Sequence, residues 1–244
     1  MLVFSSFYNM YCTLLEKNKL SRFCTIAYAE PFYQFTRLLM EENSHTNLTA
    51  IRELPDIIAK HYADCLLAEE FFPQNANVID VGCGGGCPTI PLAIVRPDLR
   101  ITAVDSTLKK INFVEKAAKF LNLNNVKPLC ARAESDEMQA YREKFDVATS
   151  RAMARMSVLT ELTFPFLKID GQLIALKGAQ GSTELQEASN AIKILGGNAS
   201  ATDKECTLLT ETDAESRHIL IVQKTSATPK QYPRHYSTIT KKPL

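Results

Sequence analysis

No run of about 18 consecutive apolar residues occurs, the length a bilayer-spanning helix needs, so an ordinary transmembrane helix is excluded. The first two dozen residues, MLVFSSFYNMYCTLLEKNKLSRFC, lack a clean basic start, a long apolar centre and a small-residue cleavage pattern. They are expected to be an extension and not a secretory signal. A transit peptide would be poorer in acids and richer in arginine, and that alternative stays open. Regular cysteine spacing is also missing: the seven cysteines suit free thiols in a reduced cytosolic protein better than a disulfide scaffold. Charge of one sign is scarce overall, with a formal net charge of +1, so the overall charge does not discriminate among partners. Only the end of the chain is one-sided, since residues 224–244 hold four lysines, one arginine and no acid. Neither an internal repeat nor a low-complexity tract is present.

What is there is ordinary globular material: 244 residues, 45% hydrophobic, enough for one sizeable domain or a domain with an appendage. From Val78 onward, short apolar runs (VIDVG, RITAVD, VKPLCA, FDVATS, GQLIALKG and RHILIVQK) alternate with amphipathic segments. That alternation predicts an α/β fold with a mostly parallel sheet and helices on both faces. Between Leu108 and Leu121, positions Leu108, Ile111, Val114, Ala118 and Leu121 recur at helical spacing while Lys109, Lys110, Lys116 and Lys119 take the other face. CTLLT and RHILIVQK flank the acidic ETDAES, which predicts a hairpin and an antiparallel edge strand. Upstream, PFYQFTRLLMEE and the span from Pro55 to Phe72 read as two amphipathic helices joined by the polar turn ENSHTN. The expected division is an extension over 1–30, a helical lead-in over 31–72, the main domain over 73–225 and a basic tail over 226–244. The tail's Pro229, Pro233 and Pro243 argue against helix or central strand there.

The stretch VIDVGCGGGCPTIPLAI places four glycines within residues 82–86, between a strand and the Pro88 that suits a helix start. A dinucleotide fingerprint needs G-x-G-x-x-G. Gly82, Gly84 and Gly86 give G-x-G-x-G instead, with Cys87 where the third glycine would stand. This weakens a nicotinamide reading and suits S-adenosyl-L-methionine, whose nucleoside and amino-acid tail lie against bare backbone without a pyrophosphate seat. Asp105 ends the next strand and is placed to accept the ribose hydroxyls, a feature both ligand classes share. Cys83 and Cys87 are four apart, but with no further ligands nearby they read as small apolar fillers and no metal is expected.

Several stretches together carry a family resemblance. NLTAI (47–51), KHYADCL (60–66), the glycine loop, AVDSTLKKINFV, CARAE (130–134), TSRAMA (149–154), LIALKG (173–178) and RHILIVQK followed by TPKQYPR closely resemble the bacterial 16S ribosomal RNA guanine-N7 methyltransferases, the glucose-inhibited division protein B family. The likeness runs from about Pro31 to the C-terminus. It implies a Rossmann-like class I S-adenosylmethionine-dependent methyltransferase fold, with a mostly parallel seven-stranded sheet, an antiparallel edge strand and an N-terminal helical lead-in. It implies methyl transfer to N7 of a guanine, guanine-527 of the decoding-region loop, in 16S ribosomal RNA or the small ribosomal subunit. By position it assigns cofactor contacts to Gly82, Cys87, Ala133, Glu134 and Arg151; Gly84 belongs to the same loop, Asp105 follows from the general methyltransferase pattern, and Asp80 holds the methionine end less directly. The chain departs from the family at Cys83 (usually serine or threonine), Cys87 (usually larger and apolar) and Thr89 (usually glycine), and lacks the tryptophan often found before NLTAI. The bulk of Thr89 is expected to bear on the fit of the methionine moiety. A cytoplasmic monomer acting on RNA, without membrane, is the expected setting.

The chemistry needs no general base, because N7 of guanine carries an in-plane lone pair at neutral pH. The enzyme must supply alignment. Because the base gains positive charge, cations close to N7 would oppose the reaction. Arg132, Arg151 and Lys177 follow three successive predicted strands near their carboxyl ends, where ligands bind in such sheets. They are expected on guanine O6 or on phosphate oxygens, the alternative for each being a surface ion pair. Asn47 and His61 on the lead-in are further candidates for touching the target nucleotide, against capping or surface roles. The tail, basic and tyrosine-bearing, is expected to grip RNA. Two other readings compete: a noncatalytic S-adenosylmethionine-binding assembly factor, and a methyltransferase of protein or small molecules, disfavoured because TSRAMA stands where an N-P-P-Y type motif would.

Overall fold

The computed structural model describes residues 2–198 and 200–244. Five parallel strands, β1 (Asn77–Val81), β2 (Arg100–Asp105), β3 (Val126–Cys130), β4 (Phe145–Arg151) and β5 (Leu167–Lys177), join the antiparallel hairpin β6 (Thr202–Leu209) and β7 (Ala214–Gln223) in the order β3-β2-β1-β4-β5-β7-β6. The six apolar runs and the hairpin fall where their patterning places them. Parallel pairing buries both faces, which is why these runs are nearly continuous in apolar residues. Strand order reverses at β1, with β2 on one side and β4 on the other, and ligands bind at the carboxyl ends beside such a switch point. Two buried hydroxyls lock β4 there: Thr149 donates to the Ile174 carbonyl at 2.8 Å and Ser150 to the Val81 carbonyl at 2.7 Å.

Helices α1 (Phe4–Lys17) and α2 (Ile26–Thr46) precede the sheet, followed by the short turns α3 (Leu54–Asp56) and α4 (Asp64–Leu66). The residues expected only as an extension are thus a helix with a buried aromatic face. Phe7 and Tyr11 stack at 5.6 Å between ring centroids, Tyr11 meets Phe32 at 5.4 Å and Phe32 meets Tyr62 at 4.8 Å. Burial of such rings is worth about 2 kcal/mol each, enough to hold the helix down. The lead-in starts at Ile26 and passes through Pro31, so most of ENSHTN is helix and only Asn47 leaves it, at a φ of 49°. Asn18 completes the attachment: its side-chain amide donates to the Leu209 carbonyl and accepts from the Leu209 N–H, both at 2.8 Å, extending edge strand β6.

The span from Pro55 to Phe72 is not one regular helix. Between α3 and α4 the backbone is π-helical over Ile57–Ala63, a wider turn that apolar periodicity does not distinguish from the α-helix.

On one face of the sheet lie α5 (Thr89–Val95) and α6 (Leu108–Phe120), whose Ile90, Phe113 and Val114 join the N-terminal aromatics in one buried cluster. Leu108, expected inside, opens α6 and is exposed. Against the other cluster pack α7 (Met156–Thr163), α8 (Gly181–Glu187), α9 (Ser189–Ile194) and α10 (Tyr236–Lys241). The last corrects the expectation that the tail holds no helix. Residues 236–241 form a proline-free window after Pro233 and before Pro243, and the His235 side chain caps it by accepting the Ser237 N–H. No helix among the described residues is long and apolar enough to cross a membrane.

Candidate active site

Three cavities adjoin along the carboxyl ends of the strands. The first, about 330 Å³, lies over β2 and β3 and is lined by Asp105, Ala133, Glu134, Leu162 and Tyr236. The second, also about 330 Å³, runs along the glycine loop past Gly84, Cys87, His61 and Arg151. Gly82, Asp105, Lys110 and Met153 belong to both. The third, about 500 Å³, lies beyond Arg151 over β4 and β5, between Lys177, Glu184, Asp64 and Arg217. It shares Arg151, Ala152 and Met153 with the second.

The loop glycines serve two ends. A Cβ on Gly82, at φ +78°, would stand 2.8 Å from Met153 Cγ, so the chain's own side chain forbids it. Gly84, at φ +56°, has open space where its Cβ would be; there the left-handed backbone, not crowding, calls for glycine, and its bare edge faces the cavity. Asp105 holds the loop by accepting the Gly84 N–H at 3.1 Å and the Thr107 N–H at 2.8 Å, and sits where the first two cavities meet. Glu134 faces the first cavity with its Oε1 buried and without a hydrogen bond.

Asp80 lies outside all three linings, fully buried under the loop. Its Oδ2 accepts from the Thr89 hydroxyl at 2.6 Å, while Oδ1 has no hydrogen bond. Burial pushes its carboxyl up to about 7, against the Thr89 hydrogen bonds. Thr89, whose bulk is expected to bear on the methionine moiety, lines none of the three cavities; its buried side chain is turned to Asp80.

Arg151 is the hub of the second and third cavities. Its guanidinium donates to the Lys60 carbonyl at 2.6 Å, to Asp64 Oδ2 at 3.1 Å and to His61 Nδ1 at 3.0 Å, all on the π-helical turn and the α4 that follows. Because Nδ1 accepts, His61 carries its proton on Nε2 and donates to Thr49 Oγ1 at 3.1 Å. Burial, reinforced by Arg151, pushes the imidazole down to about 3 and keeps it neutral. Asp64 accepts from Arg217 Nε at 2.9 Å on its other oxygen, so one buried carboxylate is shared by two arginines. Lys177 is buried, with its ammonium 2.8 Å from Glu184 Oε2 and donating also to the Ala154 carbonyl.

The expected cations are therefore divided. Arg151 and Lys177 share a cavity; Arg132 lines the first one, its side chain largely exposed and 3.6 Å from Glu134. The reason is strand order: β3 and β4 are consecutive in sequence but separated by β2 and β1 in space. Asn47 lines none of the three; it is the exposed C-cap of α2, accepting from Arg52 at 3.4 Å, whereas Leu48 and Thr49 after it do face the second cavity. Sequence reasoning missed Asp64, Thr49, Glu184, Arg217 and Tyr236. Asp64 left a signal, one helical turn from His61 in KHYADCL, and Tyr236 was read only as part of a tyrosine-bearing tail.

The rRNA small subunit methyltransferase G family model matches residues 29–215. The chain belongs to that family. Relatives of the same family name in Brevibacillus brevis (44% identical over 218 residues, covering 88% of this chain and 90% of the relative) and Staphylococcus aureus (42% over 217 residues, 88% and 90%) are similar across most of their length. Among solved structures, the Bacillus cereus O-methyltransferase in complex with SAH is similar with a TM-score of 0.54 at 16% identity, covering 78% of this chain and 91% of that one. TYW2 of M. jannaschii in complex with AdoMet gives 0.55 at 16%, covering 68% and 76%. These place the family member in the Rossmann-like α/β fold of class I methyltransferases.

Proposed function

We propose that the protein transfers the methyl group of S-adenosyl-L-methionine to N7 of a guanine in the decoding-region loop of 16S ribosomal RNA, guanine-527 by resemblance. Family membership carries the reaction class, S-adenosylmethionine-dependent methylation of small-subunit ribosomal RNA. The finer assignments rest on the cavities. Their chain of three, joined at Asp105 and again at Arg151, is the observation that carries the reading, because it offers successive seats for a nucleoside, an amino-acid tail and an acceptor base.

The residues fit the cofactor. Glu134 Oε1, buried and without a hydrogen bond though 3.6 Å from the exposed Arg132 guanidinium, suits an adenine amino group, since a buried acceptor left without a hydrogen bond costs about 1–3 kcal/mol. Asp105 suits the ribose hydroxyls, and the bare Gly84 edge with Gly82 and Cys87 suits the methionine moiety. Asp80, behind the loop, acts through Thr89 and the backbone. When bound, S-adenosyl-L-methionine supplies an electrophilic methyl group. The chain's own residues then align and shield. Lys177 and Arg151 flank the acceptor cavity and would address guanine O6 or phosphate, leaving N7 free. Asp64 offsets the Arg151 charge, so the positive charge that develops on the base is not opposed by an uncompensated cation. Neutral His61, with both ring nitrogens engaged, orients Arg151 and takes no proton, in keeping with a reaction that needs no base. Arg132 stands beside the nucleoside seat, and Asn47 holds the end of α2.

The protein acts on this reading as a cytoplasmic monomer on the small subunit or its RNA. The deciding experiment is transfer from labelled S-adenosyl-L-methionine to small subunits from cells lacking the protein, followed by mapping. Label at N7 of one decoding-region guanine is expected; label elsewhere, or none despite cofactor binding, overturns it, the latter in favour of a noncatalytic assembly factor.

A further inference from the structure

The tail is docked, not free. Arg234 donates its backbone N–H to Glu161 Oε1 at 2.9 Å, its Nε to the same oxygen at 2.8 Å and its Nη2 to Oε2 at 2.6 Å. Glu161 is fully buried on α7 while Arg234 stays partly exposed, so rupture of the pair would strand the Glu161 charge. Upstream, Arg142 clamps the tail by donating to the carbonyls of Tyr232 at 2.8 Å and Thr228 at 2.7 Å. Downstream, Ile239 is fully buried in the cluster that includes Leu162 and Ala133. Tyr236 lies between these anchors, half-buried, on the wall of the first cavity.

That cavity has a polar side, with Asp105, Lys110, Arg132 and Glu134, and an apolar side with Ala131, Ala133 and Leu162. Among its lining residues Tyr236 is the one aromatic ring. A nucleobase takes hydrogen bonds at its edge and offers two π-faces, and a ring beside it supplies the face that carboxylates do not. We propose that Tyr236 packs against the adenine ring of S-adenosyl-L-methionine, making the C-terminal segment part of the cofactor site. This rests on the proposed seating of the adenosyl moiety in the first cavity. It leaves the expected RNA contact of the tail to the exposed Lys230, Lys241 and Lys242, since the Arg234 guanidinium is engaged by Glu161.

The test is calorimetric titration of the full chain with S-adenosyl-L-methionine, comparing wild type, Tyr236→Ala and Tyr236→Phe, each first checked for an intact ligand-free melt. Tyr236→Ala is expected to weaken cofactor binding about tenfold, with Tyr236→Phe close to wild type because the ring face is retained. In methyl transfer the KM for cofactor should rise, with kcat at saturating cofactor and the KM for RNA held. Should Tyr236→Ala fail to fold, Tyr236→Leu, which keeps apolar bulk without the π-face, is read the same way and is expected to lose several-fold. A wild type that does not bind the cofactor sinks the underlying reading. A wild type that binds, with variants of equal affinity or with only RNA affinity lost, sinks the Tyr236 proposal alone.

Discussion

The Thr89 hydroxyl, at the start of α5, donates to Asp80 Oδ2 on β1 at 2.6 Å beneath the glycine loop. Together with the Thr89 backbone N–H and the Arg151 charge, this bond opposes the upward push of burial on the carboxyl. Replacing Thr89 with alanine should lower stability by about 1 kcal/mol at neutral pH. Urea unfolding at neutral pH and at about pH 5 checks it, with the smaller loss expected in acid, where Asp80 carries its proton in the folded state.

Asp80 and His61 impose opposite pH slopes. The Asp80 carboxyl, pushed up to about 7 in the folded state, binds more protons there than when unfolded, so its contribution to stability falls as pH rises from about 4 to about 7. His61, pushed down to about 3, binds fewer protons folded than unfolded, so its contribution rises from about pH 3 to about 6.5. Near-cancellation is expected in wild type. Asp80→Asn should leave stability rising with pH, and His61→Gln should leave it falling, by up to about 1.4 kcal/mol per pH unit in each case. Chemical denaturation across pH 4 to about 7 reads both slopes; a variant that keeps the wild-type profile refutes the assignment for its residue.

Asp64→Asn removes the charge that two arginines share. Breaking a buried pair costs about 3 kcal/mol, and methyl transfer should fall with it because Arg151 loses its offset. Thermal unfolding and single-turnover transfer at saturating cofactor measure the two effects separately.

Lys177→Met should reduce transfer to RNA with cofactor affinity intact, whereas Glu134→Gln should weaken cofactor binding about tenfold with the KM for RNA unchanged. Kinetics with each substrate varied in turn would show the split; a reversed pattern would exchange the roles of the first and third cavities.

The parallel strands, the hairpin and the glycine loop were legible because burial on two faces leaves continuous apolar runs, and because G-x-G-x-G after VIDV has few other uses. Arg151 was legible as the residue that ends β4. Arg132 was misplaced because proximity of strands in sequence says nothing about their order in the sheet. The π-helical turn carrying His61 was hidden, since an amphipathic pattern tolerates either turn width. Tyr236 was legible only as one of the tail's tyrosines; its place on the first cavity depends on Glu161 and Arg234, seventy-three positions apart, meeting across the fold.

The Asn18 bridge to Leu209 spans 191 positions. A chain emerging from its N-terminus therefore presents the end of α1 long before β6 exists, with the aromatic face of that helix held only by α2 and the turn that follows. Closure of the molecule waits on synthesis of the hairpin, and a truncation that removes β6 strips the end of α1 of its two Leu209 hydrogen bonds while leaving its aromatic face packed on α2 and the π-helical turn.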